Sequence, residues 1–444
     1  MTDMPREALM ARLASRANAS FFILGGLLLA GCGGGGGAQT PTPIPTATAP
    51  TLTATVRVTA GQRYQRISGF GASSAWNSTG PSDTQADQFF SADSGAGLSL
   101  LRIRIAPDGA TVEMPWVRQA RDRGARIWAA PWSPPGAWKT NGSDTNGGKL
   151  KPEYYQAWAD RLADFARSMS SSGTPLEYLS AQNEPGWVAT WETCEWTPTE
   201  LLTFVRDYLG PAVTARGLTT PILAPETNDW IKFPQYADPL LADPLATSYL
   251  GVLAMHHYGG SPYAYTTAAA KGKELWETEM SANVKGNGMD SALSMVRSIH
   301  NHLTVASVNA WHYWWLTNSN AAEADALVQA GVVTKRLWVM GNYSRFVRPG
   351  SYRVGATVEG AAAPNLLVTA FRNEAANRLI VVVANTGDTV RTQFTLADLS
   401  VASVTPWLTS QTSDLAAQSP LAGGASFSYE LPAQSVTTLV APIG

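Results

Sequence analysis

Two acidic residues, each closing an apolar run, could carry the chemistry of this chain. The run from Leu176 to Leu179 leads into Gln182-Asn183-Glu184-Pro185-Gly186-Trp187. Proline cannot donate to a ladder, so a buried strand must stop there, with Asn183 and Glu184 at its C-terminal tip. A second short run, Glu274-Leu275-Trp276-Glu277-Thr278-Glu279, also ends in a carboxylate, far enough along for several β/α units to intervene. Acids on two strand ends can face each other across a barrel mouth. Cleaving a glycosidic bond needs one acid to protonate the leaving oxygen and one carboxylate to meet an oxocarbenium-like centre from the other face. On this reading Glu184 is the acid/base and Glu279 the nucleophile. Glu277, read on the same strand face as Glu279, and Glu226 at another strand end are rivals for the second role.

Other strand ends deliver a matching set of side chains. The first gives Trp76, the second Arg102 and then Asp108, the third Trp132 and Trp138; further along come Trp187, His256 with Tyr258, and Trp311 with Trp314. Of the 16 tryptophans, many lie beside these ends rather than in helix-periodic stripes, where their faces can stack on sugar rings. Asn183 can bond a sugar 2-hydroxyl, while Tyr258 by hydrogen bonding and Arg102 by charge can hold Glu279 ionised. His256 and His257 point to opposite faces of a strand, and no nearby spacing completes a metal site, so neither metal nor cofactor is expected. His300 and His302 fall on a helix as packing or surface residues. The chain has no Gly-x-Ser-x-Gly elbow of a serine hydrolase.

Positioning these residues requires alternating strands and helices. Strands are expected at 67–73, 98–105, 126–132, 176–184, 222–226, 252–258, 274–279 and 308–314, with the clearest helices at 153–169 and 199–215. Eight strands in that rhythm make a (β/α)8 barrel over residues 66–346. From 347 to 444 short half-alternating strands follow without helices, and the strand pattern at 52–65 needs a partner sheet. Together they predict a side β-sandwich.

The 444 residues are 45% hydrophobic, and 32 Lys and Arg against 34 Asp and Glu leave no field to attract nucleic acid. A neutral polysaccharide suits this balance, and the protein is expected to be a monomer. Residues 1–32 carry Arg6, Arg12 and Arg16, the apolar run 21–30 and Leu29-Ala30-Gly31-Cys32, which reads as a lipoprotein export signal with Cys32 as the acylated residue. A Gly/Pro/Thr-rich tether occupies 33–51. The expected address is a membrane, at the outer membrane or cell surface through an N-terminal lipid anchor, with plain secretion as the alternative. Only Cys194 remains as a second cysteine, so no disulfide framework is expected.

From about Ile67 onward the sequence resembles glycoside hydrolase family 30, most closely its bacterial glucuronoxylan endo-1,4-β-xylanase branch. The resemblance rests on residues 69–73 (GFGAS), 101–105 (LRIRI), 131–135 (PWSPP), 182–185 (QNEP), 276–279 (WETE), 346–350 (FVRPG) and 431–438 (LPAQSVTT). It implies a TIM barrel fused to a side β-sandwich, Glu184 as acid/base, Glu279 rather than Glu277 as nucleophile, and a retaining mechanism without cofactor or metal. In the glucuronoxylanases, arginine and tyrosine in the loop after strand eight, and a tyrosine after the nucleophile, grip the glucuronate branch. Here those loops read 315–321 (WLTNSNA) and 280–283 (MSAN), with Lys285 and Lys335 as the neighbouring cations. The expectation is a retaining endo-β-glycanase, acting on xylan without a strict glucuronate requirement. Other specificities of the family (β-1,6-galactan, β-1,6-glucan, xylobiose release) and a non-catalytic polysaccharide-binding lipoprotein are the alternatives.

Overall fold

In the computed structural model eight parallel strands close into a barrel: β1 (Gly69–Ser73), β2 (Leu100–Ile105), β3 (Arg126–Pro131), β4 (Leu176–Ser180), β5 (Ile222–Leu223), β6 (Leu250–His256), β7 (Glu274–Glu279) and β8 (Ala310–Asn318). Closure comes from β8, which pairs with both β7 and β1. The structure describes residues 52–443 apart from Asn283; the expected export signal with Cys32 and the expected tether lie outside them.

Alternation explains why the strands seal. On β2, Leu101 and Ile103 join the outer core beneath the helices, while Leu100 faces inward to meet Trp128, Trp132, Leu223, Val252, Ala254, Trp276 and Ala310. That interior layer leaves no room on β1. A Cβ on Gly71 would sit 2.6 Å from the His312 ring and 2.7 Å from the Leu100 carbonyl, so only glycine lets the barrel draw in there. Helices flank the strands; the one starting at Pro198 is capped by Thr197 and Glu200 in a reciprocal capping box. Its continuation widens to a π-turn over Phe204–Leu209 just ahead of Pro211, whose missing N–H breaks the helical ladder.

The second body is a β-sandwich, and it takes the N-terminal strand. Leu52–Arg66 runs antiparallel to Tyr352–Glu359 and parallel to Val390–Leu396, so it joins the two halves of the sheet path. Val56, Val58, Phe394, Phe427 and Leu431 fill the core of the sandwich. The strand Arg378–Asn385 is buried on both faces: Leu379, Val381 and Val383 enter the sandwich core, while Ile380, Val382 and Ala384 pack with the barrel. The helix Lys335–Ser344 crosses this seam, where Asn342 donates to the Trp407 carbonyl (3.1 Å) and accepts on its own carbonyl from Thr438 (2.7 Å). Unread in the sequence were the strand Tyr352–Glu359, the short strands Ala416–Ala417 and Leu421–Gly424, and the hairpin Ala326–Gln329/Val332–Val333 hung from β8.

Several strands stop sooner than their apolar runs suggest. β4 ends at Ser180 and β5 at Leu223, so Asn183, Glu184 and Glu226 stand on loops above the barrel rim. Phe394 is fully buried and stacks on Phe427 at 5.1 Å and 9°. Phe394→Ala should therefore lower stability by about 3–5 kcal/mol, read as a shifted midpoint in urea denaturation.

Candidate active site

Arg102 is the centre on which the mouth is built. Inward alternation on β2 aims it up the barrel, where it is fully buried with its guanidinium 4.5 Å from the Trp132 ring, 5.3 Å from Trp128 and 5.5 Å from Trp314. It donates to Glu279, to the Asn183 side-chain oxygen and to Glu226, the last at 2.6 Å. Ser180 donates to the other Glu226 oxygen. His256, fully buried at the end of β6, spans all three acids: its Nδ1 lies 2.9 Å from Glu184 and 3.8 Å from Glu279, and its Nε2 lies 3.5 Å from Glu226.

The charges sort themselves by partner. Burial would push Glu226 up, but Arg102 and His256 outweigh it and hold its carboxyl below the usual range. Burial likewise disfavours a charged His256, yet Glu279 and its bonds to Glu184 and Glu226 raise it to about 10, so the imidazolium is the form at neutral pH. Glu184 moves the other way. Desolvation dominates over the His256 contact and raises its carboxyl, which suits a group that must carry a proton to a leaving oxygen. Tyr258, about half exposed, donates to Glu279 at 2.9 Å; burial of its hydroxyl, together with the Glu279 charge, keeps the phenol protonated.

Backbone geometry presents the two acids. Glu184 has φ of +50°, a left-handed conformation costing roughly 1–3 kcal/mol for a residue other than glycine. It is pinned there by its amide, which donates to the Glu226 carbonyl at 2.9 Å, and by Asn183, whose amide donates to the Pro131 carbonyl at 2.8 Å. On β7 a register shift separates the pairs Met255–Glu277 and His256–Glu279, so Thr278 is an extra residue. This bulge corrects the sequence reading. Trp276 faces the interior, the bulge then changes the phase, and Glu279 faces inward again while Glu277 does not share its face. Glu277 instead accepts from the His312 backbone amide at 3.1 Å within the sheet seam, and burial raises its carboxyl well above the usual range.

The remaining candidates divide. Trp76, 37% exposed, meets Trp132 edge-on at 5.0 Å and Trp314 at 6.1 Å, and Trp314 stacks on Trp315 at 4.9 Å. Trp187, on the loop after Glu184, lies with Lys232 over its ring at 5.3 Å. Trp311 does not reach the mouth: it is fully buried in the outer core, since on β8 it has the opposite parity to Ala310 and Trp314. Asp108 and Trp138 do not reach it either. They line a separate groove of about 780 Å³ against the helix Tyr155–Ser171, with Trp138 stacked on Tyr154 at 5.3 Å and Arg161 at 4.4 Å from its ring. Glu226 is no rival nucleophile, because both its oxygens are taken by Arg102, Ser180 and His256.

Glu184, His256 and Glu279 offer oxygen and nitrogen atoms all within 4.8 Å of one another, a spacing that a metal ion could bridge. Charge argues otherwise, since Arg102 and the imidazolium of His256 already set two positive charges among the three carboxylates.

A TIM barrel that faces a glutamate of raised proton affinity with a second, ion-paired one across its mouth is the apparatus of a glycoside hydrolase. Residues 79–321 match the glycosyl hydrolase family 30 TIM-barrel domain and residues 350–439 the family 30 beta sandwich domain. The chain belongs to glycosyl hydrolase family 30. It is similar to glucuronoxylanase XynC of Bacillus subtilis (strain 168), 33% identical over 404 residues that cover 87% of this chain and 91% of that protein. Among solved structures it resembles a family 30 subfamily 8 xylanase, Xyn30A, from Clostridium acetobutylicum, with a TM-score of 0.78 and 33% identity over 87% of this chain and 99% of that one. A family 30 endoxylanase from Clostridium papyrosolvens C71 gives a TM-score of 0.76 and 31% identity over 87% and 100%.

The raised His256 fixes a pH dependence. Its charged form adds stability in full below about pH 6.5, and that contribution is lost as pH rises through about 10. The stability advantage of the wild type over His256→Gln should therefore shrink steadily between those limits, measured as the gap between their urea midpoints; a gap that widens toward pH 10 contradicts the charge assignment.

Proposed function

We propose that the protein is a retaining endo-β-1,4-xylanase that does not require a glucuronate branch. The observation that carries this reading is the approach of Glu184 and Glu279, each with a carboxylate oxygen within 4.8 Å of the other. That closeness suits direct attack on the sugar, whereas an inverting pair stands roughly 6.5–9.5 Å apart to admit a water. Glu184 gives its proton to the glycosidic oxygen as Glu279, which accepts hydrogen bonds from Arg102 and Tyr258, attacks the anomeric carbon. Deprotonated Glu184 then takes a proton from water, which releases the sugar from Glu279 with its β-configuration kept. Asn183, oriented by Arg102, is placed for a sugar 2-hydroxyl.

Xylan as backbone is supported by the similar proteins named xylanases. Independence of the branch rests on what fills the loops after β7 and β8. Thr317 bonds Asn77 at 3.2 Å and Asn318 bonds Asp325 at 2.8 Å, so both side chains are engaged within the loop system. Lys335 is drawn away to Asp414 at 2.7 Å, and Lys285 donates to the Ala322 carbonyl at 3.1 Å. No arginine occurs in residues 280–282 or 315–321 to form a bidentate carboxylate grip.

Proton NMR of early xylan hydrolysis should show the β-anomer first, and Glu279→Gln or Glu184→Gln should lower kcat on xylan by about 10²–10⁴-fold; early α-anomer contradicts the retaining assignment. Chemical reduction of the uronic acids of glucuronoxylan should change turnover by less than about threefold. A drop of about ten- to a hundredfold would reveal a carboxylate grip and refute branch independence.

A further inference from the structure

Trp76 combines three features that seldom occur together. It is a bulky residue with φ of +62°, it is 37% exposed, and it forms the outer edge of the cluster with Trp132, Trp314 and Trp315 above Arg102. A large aromatic held in the left-handed region costs roughly 1–3 kcal/mol and persists only where its surroundings dictate it. Without restraint the loop after β1 would relax and swing the indole away.

The restraint comes from a residue outside the catalytic pair. Glu113, fully buried at the start of the helix Met114–Asp122, accepts from the Trp76 amide at 3.1 Å, from the Ser74 hydroxyl at 2.9 Å and from the Arg104 amide at 3.1 Å. One carboxylate thus ties the loop after β1 to the end of β2. The ring is held as well: the Arg104 guanidinium lies 5.3 Å from the Trp76 centroid and is itself fixed in a two-bond grip by Glu192, on the loop that follows Glu184. Glu113 touches neither catalytic carboxylate, so all its bonds go into the shape of this wall.

We infer that Glu113 is a positioning residue that sets Trp76 as a platform for a sugar unit of the bound chain, with Arg104 and Glu192 bracing the ring. This rests on the proposed xylanase reading. An exposed indole face in a glycan cleft stacks on the apolar face of a pyranose, and a platform of this kind serves binding rather than bond cleavage, so the KM is what it controls.

Turnover of the wild type on linear xylo-oligosaccharides comes first: its absence would refute the xylanase reading and this inference with it. With turnover present, Glu113→Gln, which keeps the shape but weakens the accepting groups, should raise KM about five- to tenfold and leave kcat within about twofold. In the Trp76→Ala background the same change should add almost nothing, since both act on one contact. An unchanged KM, a loss carried by kcat, or effects that add fully across the double variant would overturn the inference while leaving the xylanase reading intact. Should Glu113→Gln fail to fold, Glu192→Gln frees the Arg104 brace from the other side and should raise KM about two- to fivefold; an unchanged KM there overturns the inference too.

Discussion

A guanidinium taken wholly out of water must find its charges in the protein, and around Arg102 this requirement organises the barrel mouth. Desolvating such an ion costs several kcal/mol, offset only where anionic partners with good geometry surround it. Glu226 and Glu279 supply the charge, Asn183 an oxygen, and the rings of Trp128, Trp132 and Trp314 a π-face. Five other strands, β3, β4, β5, β7 and β8, send groups to this one side chain. Glu226 is the silent member: Arg102, Ser180 and His256 occupy its oxygens and hold its carboxyl below the usual range, while desolvation raises that of Glu184. Glu226 and Glu184 thus shift in opposite directions because their neighbours differ.

Much of this was legible in the chain. Apolar runs that end at a proline or a carboxylate located Glu184 and Glu279 at strand ends, and β2 parity placed Arg102 inside. The orphan strand near Val56 asked for a second sheet, and it found one. What stayed hidden depended on geometry that linear order does not carry. Trp311 and Trp314 sit three positions apart on one strand, and parity sends them to opposite faces, one to the core and one to the mouth. The extra residue Thr278 inverts the parity of β7, so counting by twos put Glu277 with Glu279. Trp138 follows a strand end but turns outward to Tyr154 and Arg161. Glu226 and His256 could be seen as polar ends, yet their partnership needs knowledge of which strands meet across the barrel. Glu113 offered only the faint mark of an acid just before a helix.

The sandwich bears on the site indirectly, through the seam. Its strand Arg378–Asn385 has no solvent face, and the helix Lys335–Ser344 is stitched by Asn342 to Trp407 and Thr438 on the strands Val401–Thr409 and Ser435–Pro442. The loop system after β8 runs straight into that helix. Lys335, which opens the helix, pairs with Asp414 across the seam, so the sandwich holds this cation.

The strand Leu52–Arg66 also carries a lesson about time. It is the first described element of the chain, yet both of its neighbours, Tyr352–Glu359 and Val390–Leu396, are made only after the whole barrel has been synthesised. On the ribosome this alternating, sheet-prone segment must wait unpaired while eight β/α units emerge, and its loop closes over nearly the full polypeptide. Vectorial synthesis therefore cannot finish the sandwich piecemeal. A strand from ahead of the barrel thus completes the last domain to appear, and the sandwich closes only once its C-terminal strands are present.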